Sequence, residues 1–541
     1  MLCHDWAVTT SEDDAARTWC LVFVLVFLSA TAWSFGTPLM SGPDEVSQQR
    51  RAAAAARGQW TGVSDVEGPP ILVDVEVPEL YGEAADQQWR CHVGPLVDAA
   101  PQKPLPVPRT ECPDLPSSSE LVTARTVQGR GQPFLYAVAG LPTRLSTGPA
   151  GAYGARLVVA AICAALVASA ACSIRALRRP RLAGLGLMLT LTPAVVYLAG
   201  STNPSGVEIL AAVGAWVSGT VLVTVPVSQR TGRLVARTMA ALVILVLSRG
   251  MAPLFGGLIV AGLAGVAGWE RCRELLRRRD LQIWGIALAG AVAASGAWLL
   301  HIRSAQPNPE RLGSGWVTAT GYLPWYLHQS VGVFGNNDSD LPMAVSAAWL
   351  LVGLAVVVVS VAACLRLVPR APRAAVLTVL CLVGGLVMQV TSEGLDVPPI
   401  GFFWQGRYAL PLLFGALVVA SVAAGPLPRR LHLAEQRSTF AAVTILVVVH
   451  LWAFVEVARH HGGLARGSVS ISDALMHTAW DAPVPLWLLT VVYVVSVAAL
   501  AAVVTAAGRG VVDDADDRGE RSGRHEATAS GPAASTSIGP R

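Results

Sequence analysis

The chain has 541 residues, 53% of them hydrophobic and only 14% charged, with a mean hydropathy of +0.51 and a formal net charge of +4. Soluble chains carry about a quarter charged residues, so this composition excludes a soluble globular protein and indicates a polytopic membrane protein, with the lipid bilayer as its surroundings and no nucleic-acid partner. The basic residues are nearly all arginine, with Lys103 standing alone, and with the Ala and Val bias this points to a GC-rich bacterial genome.

Residues 1–17 are polar and acidic, through Glu12, Asp13 and Asp14, with Arg17 as the basic residue. Residues 18–39 form the first apolar run. A small-residue stretch from Ser29 to Ala32 leaves a cleaved signal peptide as the competing reading. The acidic start and a run of about 20 residues favour an uncleaved first transmembrane helix.

Residues 40–151 are read as a mixed extracytoplasmic loop domain. It opens on Ser41-Gly-Pro-Asp-Glu45, where a helix is expected from Pro43 to about Arg57. Ser41 can cap that helix, Pro43 suits its first turn, and Asp44 and Glu45 complement its dipole. Alternation over residues 71–77 predicts a strand. Prolines crowd the stretch from Pro95 to Pro116, which reads as an extended loop, and Gln132 to Gly140 re-enters the membrane or lies along its surface.

Further apolar blocks lie near 152–174, 182–200, 207–227, 235–248, 252–269, 281–301, 342–365, 373–391, 408–424, 438–457 and 484–506. With the first run they make about 12 spans, and residues 152–506 form a multi-span transmembrane domain in an all-α architecture. Arginines mark every second connection, among them Arg175, Arg233, Arg277, Arg366 and Arg437. By the positive-inside rule these connections are cytoplasmic, which puts both termini inside and residues 40–151 outside a plasma (inner) membrane. The weak point is 235–269, where two spans share about 35 residues around Arg249. The tail 507–541 is acidic, then rich in Ser, Gly, Ala and Pro, and should be a disordered cytoplasmic segment.

The outer face then holds Asp44 and Glu45, with Gln48 and Arg51 on the same helical face as Asp44. Arg249 interrupts an apolar stretch, where an arginine is costly and faces a cavity or a partner. Arg407 lies in Phe402-Phe-Trp-Gln-Gly-Arg-Tyr408, where snorkelling in an aromatic belt competes with a binding role. The 302–341 loop carries Trp316, Tyr322, Trp325, Tyr326 and Phe334, then Asp338 and Asp340, an Asp-x-Asp metal site or simply a turn and helix cap. His450 reads as a core histidine, and Glu456, His460, His461, His477 and Asp481 lack convincing ligand spacing. Nine cysteines show no Cys-x-x-Cys pair, so no metal site is expected from them. Cys91 and Cys112 share the outer loop, where a disulfide closing about 20 residues contributes about 3 kcal/mol.

Several short motifs occur in a fixed order: Pro43-Asp-Glu45, Gln132-Pro-Phe-Leu-Tyr136, Ala155-Arg-Leu157, Asn203-Pro204, Arg249 before Pro253, Phe334-Gly335 and Gly406-Arg-Tyr-Ala-Leu-Pro411. Together they resemble the bacterial membrane family called domain of unknown function 2142, over roughly residues 20–425, a family that groups with the GT-C-type glycosyltransferases. That pattern has a histidine where this chain has Gln48, which hydrogen-bonds but is no acid or base near neutral pH. The resemblance implies a GT-C-like fold and transfer of a sugar from a polyprenyl-phosphate donor to an envelope glycan acceptor. Asp44 would be the general base and Glu45 its partner or a ligand of a divalent cation, Mg or Mn. Arg249 and Arg407 would bind the lipid phosphate, and Gln48, Arg51, Trp316, Tyr322, Trp325 and Tyr408 would line a substrate groove. The rival readings are a transporter or flippase for envelope precursors, which would show paired halves and short outer loops, and a non-catalytic membrane scaffold.

Overall fold

The computed structural model describes residues 12–64, 72–92, 112, 114–177, 180–226, 231–303, 314–367, 371–395, 404–424, 432–466, 470–477, 480 and 482–506. The expected disordered tail, Asp481 and most of the proline-rich loop lie outside the described residues.

The chain is all-α apart from two small sheets. The first span is α1 (Glu12–Gly36). The loop domain follows with α2 (Glu45–Ala56), β1 (Val63–Ser64), β2 (Val73–Pro78), α3 (Glu83–His92), β3 (Leu121–Thr126), α4 (Pro133–Ala139) and α5 (Pro142–Leu145). Next come α6 (Pro149–Ile174), α7 (Arg181–Thr190), α8 (Pro193–Ala199), α9 (Pro204–Thr224), α10 (Thr231–Val246), α11 (Ala252–Leu276) and α12 (Arg279–Arg303). A second loop region holds α13 (Trp316–Gly321), α14 (Leu323–Gly332), β4 (Val333–Phe334) and β5 (Ser339–Asp340). The last elements are α15 (Met343–Leu367), α16 (Ala371–Gly394), α17 (Leu410–Ala423), α18 (His432–Arg466), α19 (Ile471–Met476) and α20 (Leu486–Ala506).

Among the described residues ten helices are long and apolar enough to cross a membrane, or eleven if α7 and α8, bent by 67°, count as one span. Pro193 begins α8, and a proline there lacks the N–H that a continuous helix would use. The remaining expected span is α10, whose 16 residues rise about 24 Å against a hydrocarbon core of about 30 Å. Side chains that tie helix ends show α1 and α6 running in opposite directions. Arg156, near the start of α6, donates to the carbonyl of Thr37 at the end of α1, while Arg175, after α6, donates to Thr18 near the start of α1.

In the loop domain the expected strand forms as β2, the centre of an antiparallel sheet β1-β2-β3. Its alternation is the cause: Val73, Val75 and Val77 are buried, while Asp74 and Glu76 face outward. Those valines cover one side of α2, with Leu39, Met40, Val46 and Ala53 in the same cluster. Gln132 to Gly140 forms the short helix α4, which packs on α2 rather than crossing the bundle.

Within the bundle, Trp33 of α1 is enclosed by aromatic rings. Phe334 stacks on it at 5.5 Å, with Tyr197, Phe454 and Tyr493 edge-on at 5.2, 4.9 and 5.6 Å. Phe334 therefore anchors the β4–β5 hairpin against the end of the first span. Gly335 follows with φ of 58°, where a Cβ would fall 2.0 Å from Oδ1 of Asp338, so the turn needs glycine.

Candidate functional site

The stretch from Thr37 to Glu45 turns sharply between α1 and α2, and the turn differs from the expected cap. Ser41 does not cap α2; its hydroxyl donates to the Pro38 carbonyl at 2.8 Å. The helix starts at Glu45, and Asp44 occupies the cap position in the left-handed backbone region, with φ of 57° and no side-chain cap bond. Non-glycine residues occupy that region at a cost of about 1 kcal/mol or more, and such strain concentrates at functional sites. Neighbouring groups hold it. The Asp44 N–H donates to Oδ1 of Asn336 at 3.2 Å, and Asn203 donates to the Pro43 carbonyl at 2.8 Å. The side chain cannot cap because it points away, to Arg407.

Asp44 and Glu45 have separate fates. Glu45 is buried and meets Arg156 in a two-pronged ion pair, Oε1 to Nε and Oε2 to Nη2, each at 2.6 Å. Its Oε2 also accepts the Gly42 N–H at 3.0 Å. The remaining Arg156 hydrogens go to the carbonyls of Ser34, Thr37 and Pro38, so this pair locks the turn. Glu45 therefore has no free oxygen for a reacting group. Asp44, in contrast, keeps 38% of its side chain exposed and accepts one bond, from Nη2 of Arg407 at 2.9 Å.

Arg407 is positioned by the helical turn Gly406–Ala409 that leads into α17. The Gly406 N–H donates to Gln329 of α14 at 2.7 Å, and a Cβ there would sit 1.8 Å from the Tyr326 carbonyl oxygen, so only glycine permits this approach. Tyr408 lies between two guanidinium groups: that of Arg407 at 5.3 Å and that of Arg249 at 4.5 Å from its ring centre. Arg249 also pairs with buried Glu208 at 3.2 Å and with Ser205, both in the first turns of α9. Asp44, Arg407, Tyr408 and Arg249, scattered over more than 360 residues of sequence, thus form one cluster at one end of the bundle. Beside it, the Tyr136 hydroxyl donates to the Gln48 amide oxygen. Burial raises the Tyr136 pKa, and the charges of Arg249, Arg51 and Asp44 reach it.

Other expected site residues lie elsewhere. Arg51 is buried and donates to the carbonyls of Gln59, Trp60 and Gly131, a structural role; burial pulls it down to about 10. Trp316 packs over Gly394, Tyr322 against Tyr326, and Trp325 against His328, so their ring contacts are with α14 and α16 and not with Asp44. Asp338 and Asp340 do not share a site: Asp338 pairs with His460 and Asp340 with His328, each at 3.1 Å. Cys91 and Cys112 are free thiols in contact, with Cys112 also 3.7 Å from His92. Burial, then the bond to Cys91, pushes Cys112 up to about 12. The two cysteines of the expected pair are thus brought together.

A divalent cation at Asp44 and Glu45 does not fit this arrangement. Both Glu45 oxygens are taken by Arg156 and Gly42, and among the described residues no group of three His, Cys, Asp or Glu side chains is placed to hold an ion. The sequence reading gave no role to Glu208 or Asn336, and it held Arg156 and Tyr136 only as members of motifs. For Arg156 and Glu208 a signal existed, since each is a lone charge inside an otherwise apolar run.

The family model described as a predicted membrane protein, DUF2142, matches residues 27–416, well over half of the chain. The chain belongs to the DUF2142 family. No curated protein and no solved structure matches it. This DUF2142 protein is thus a multi-pass membrane protein, and its matched region holds every member of the Asp44 cluster, while His460, which braces Asp338, lies beyond it.

Proposed function

We propose that this protein is a GT-C-like integral membrane glycosyltransferase. It would transfer a sugar from a polyprenyl-phosphate donor to an envelope glycan or lipid acceptor on the outer face of a bacterial inner membrane. In this reading the arginine-rich connections and both termini are cytoplasmic. The observation that carries it is the convergence of one half-exposed carboxylate, Asp44, with two arginines that share the Tyr408 ring.

The chemistry follows from those groups. The acceptor hydroxyl attacks the anomeric carbon of the donor sugar and loses its proton to Asp44. The bond from that carbon to the phosphate oxygen breaks, and the electron pair leaves with the phosphate. Arg407 and Arg249 stabilise the charge that develops there, as guanidinium groups do well for phosphate. Among the described residues two donors near Asp44 are buried without a partner, Nε of Arg407 and Nδ2 of Asn336, and both suit an anion. No step runs through Glu45 or a metal.

The test is Asp44→Asn in cells whose envelope glycan profile changes on deletion of the gene. The expected result is the deletion profile with a normal amount of folded protein in the membrane. A wild-type profile would remove Asp44 as the base and leave a scaffold or flippase role.

A further inference from the structure

A crevice of about 400 Å³ lies between α6, α9, α10 and α12, away from the Asp44 cluster. Its wall is apolar and built largely from small residues such as Gly214 and Ala240, with Leu166 beside them. One end carries Arg237, Ser218 and Trp284. Arg237 precedes Arg249 by twelve residues, which places it about 18 Å along the bundle towards the arginine-rich connections. The volume is that of a ligand pocket.

Two features of this crevice call for the same occupant. Small residues leave an apolar hollow at membrane depth, and a hollow without contents forfeits the dispersion contacts of its walls. Arg237 has no ion pair with a carboxylate among the described residues. Arg233, one turn earlier on α10, is a second cation. Arg237, which lines the crevice, is thus without a counter-ion among the described residues, where a cation at membrane depth needs one. An apolar chain joined to a single anionic head answers both needs.

We propose that the crevice binds one anionic phospholipid of the leaflet at the arginine-rich end. One acyl chain fills the hollow beside Gly214 and Ala240, and the phosphate sits on Arg237. The site is distinct from the Asp44 cluster and does not depend on the activity assigned to it.

The experiment is native mass spectrometry of the full-length protein in detergent, titrated with phosphatidylglycerol and phosphatidylcholine of identical chains. The expected result is one retained phosphatidylglycerol, preferred about five-fold or more, in line with about 1 kcal/mol per arginine near a lipid head. Arg237→Gln should erase the preference, and Arg237→Lys should keep most of it. Ala240→Leu should reduce retention of both lipids by filling the hollow, which tests the site even if Arg237→Gln does not fold. Equal retention of the two lipids by the wild type, or an unchanged preference in a folded Arg237→Gln protein, overturns the proposal. Stronger retention of a polyprenyl phosphate than of phosphatidylglycerol at this site overturns the assignment to a phospholipid.

Discussion

Asp44 and Glu45 are neighbours in the chain, and each meets an arginine, but the two pairs work in opposite ways. Glu45 and Arg156 are each 1% exposed and joined at two points, with the remaining hydrogens of the arginine on backbone carbonyls. Asp44 and Arg407 are 38% and 10% exposed and joined at one point. A buried pair is costly to break because it leaves a charge without solvent or partner, whereas a partly open one contributes little and exchanges readily. One carboxylate therefore shapes the turn, and its neighbour keeps an exposed side. The left-handed backbone at Asp44 makes the division possible, since it turns the two side chains in different directions.

The contrast can be broken most forcefully at Arg156. Replacing it with Leu strands Glu45 and should cost about 3–5 kcal/mol, read as a lower unfolding temperature in detergent. The double change Glu45→Leu with Arg156→Leu should recover much of that loss. An undiminished loss in the double variant would place the role of the pair in its shape rather than its charge.

Acid probes the sealed side of the loop domain. Burial lowers the His92 pKa from 6.5 to about 4. The unfolded chain therefore binds the proton first, so the contribution is complete above about pH 6.5 and is lost as the pH falls towards 4. The loss should approach about 3 kcal/mol, and His92→Gln should flatten it, measured by unfolding across that pH range. His461, 6.5 Å away ring to ring, and Cys112 are the groups facing this imidazole. The smallest effect on stability is expected at Asp44, where Asn should change unfolding by less than about 1 kcal/mol while the glycan profile collapses. A loss as large as that at Arg156 would mean that the two pairs are equally structural.

The bundle was legible because apolar blocks of span length carry their own signal, and the alternating arginines gave a consistent order of spans. The strand β2 was legible for the same reason, through its period of two. Within the site, Asp44, Arg249 and Arg407 were found as charges at span ends, and Tyr408 through its motif. The Glu45 pairing with Arg156 was not legible, because the backbone direction that sends the two carboxylates apart is set by a left-handed φ at Asp44 that leaves no mark in the sequence. The bond that Ser41 makes to Pro38 is a local choice that a cap signal cannot distinguish. Arg51 appeared to share a face with Asp44, but the carbonyls of Gln59, Trp60 and Gly131 come from the folded loop domain and capture it.

The brevity of α10 has a mechanical result. A segment of 16 residues leaves several ångströms of hydrocarbon unmatched, and thinning of the bilayer beside it is one of the responses to such a deficit. Arg249 follows directly on that helix, so local thinning draws the plane of lipid headgroups towards the two guanidinium groups around Tyr408. Acyl-chain length thereby becomes a control variable for the protein. In vesicles of defined lipids, binding of a polyprenyl phosphate should weaken as the chains lengthen from about 14 to about 22 carbons, and binding indifferent to thickness would show that neighbouring helices shield α10 completely.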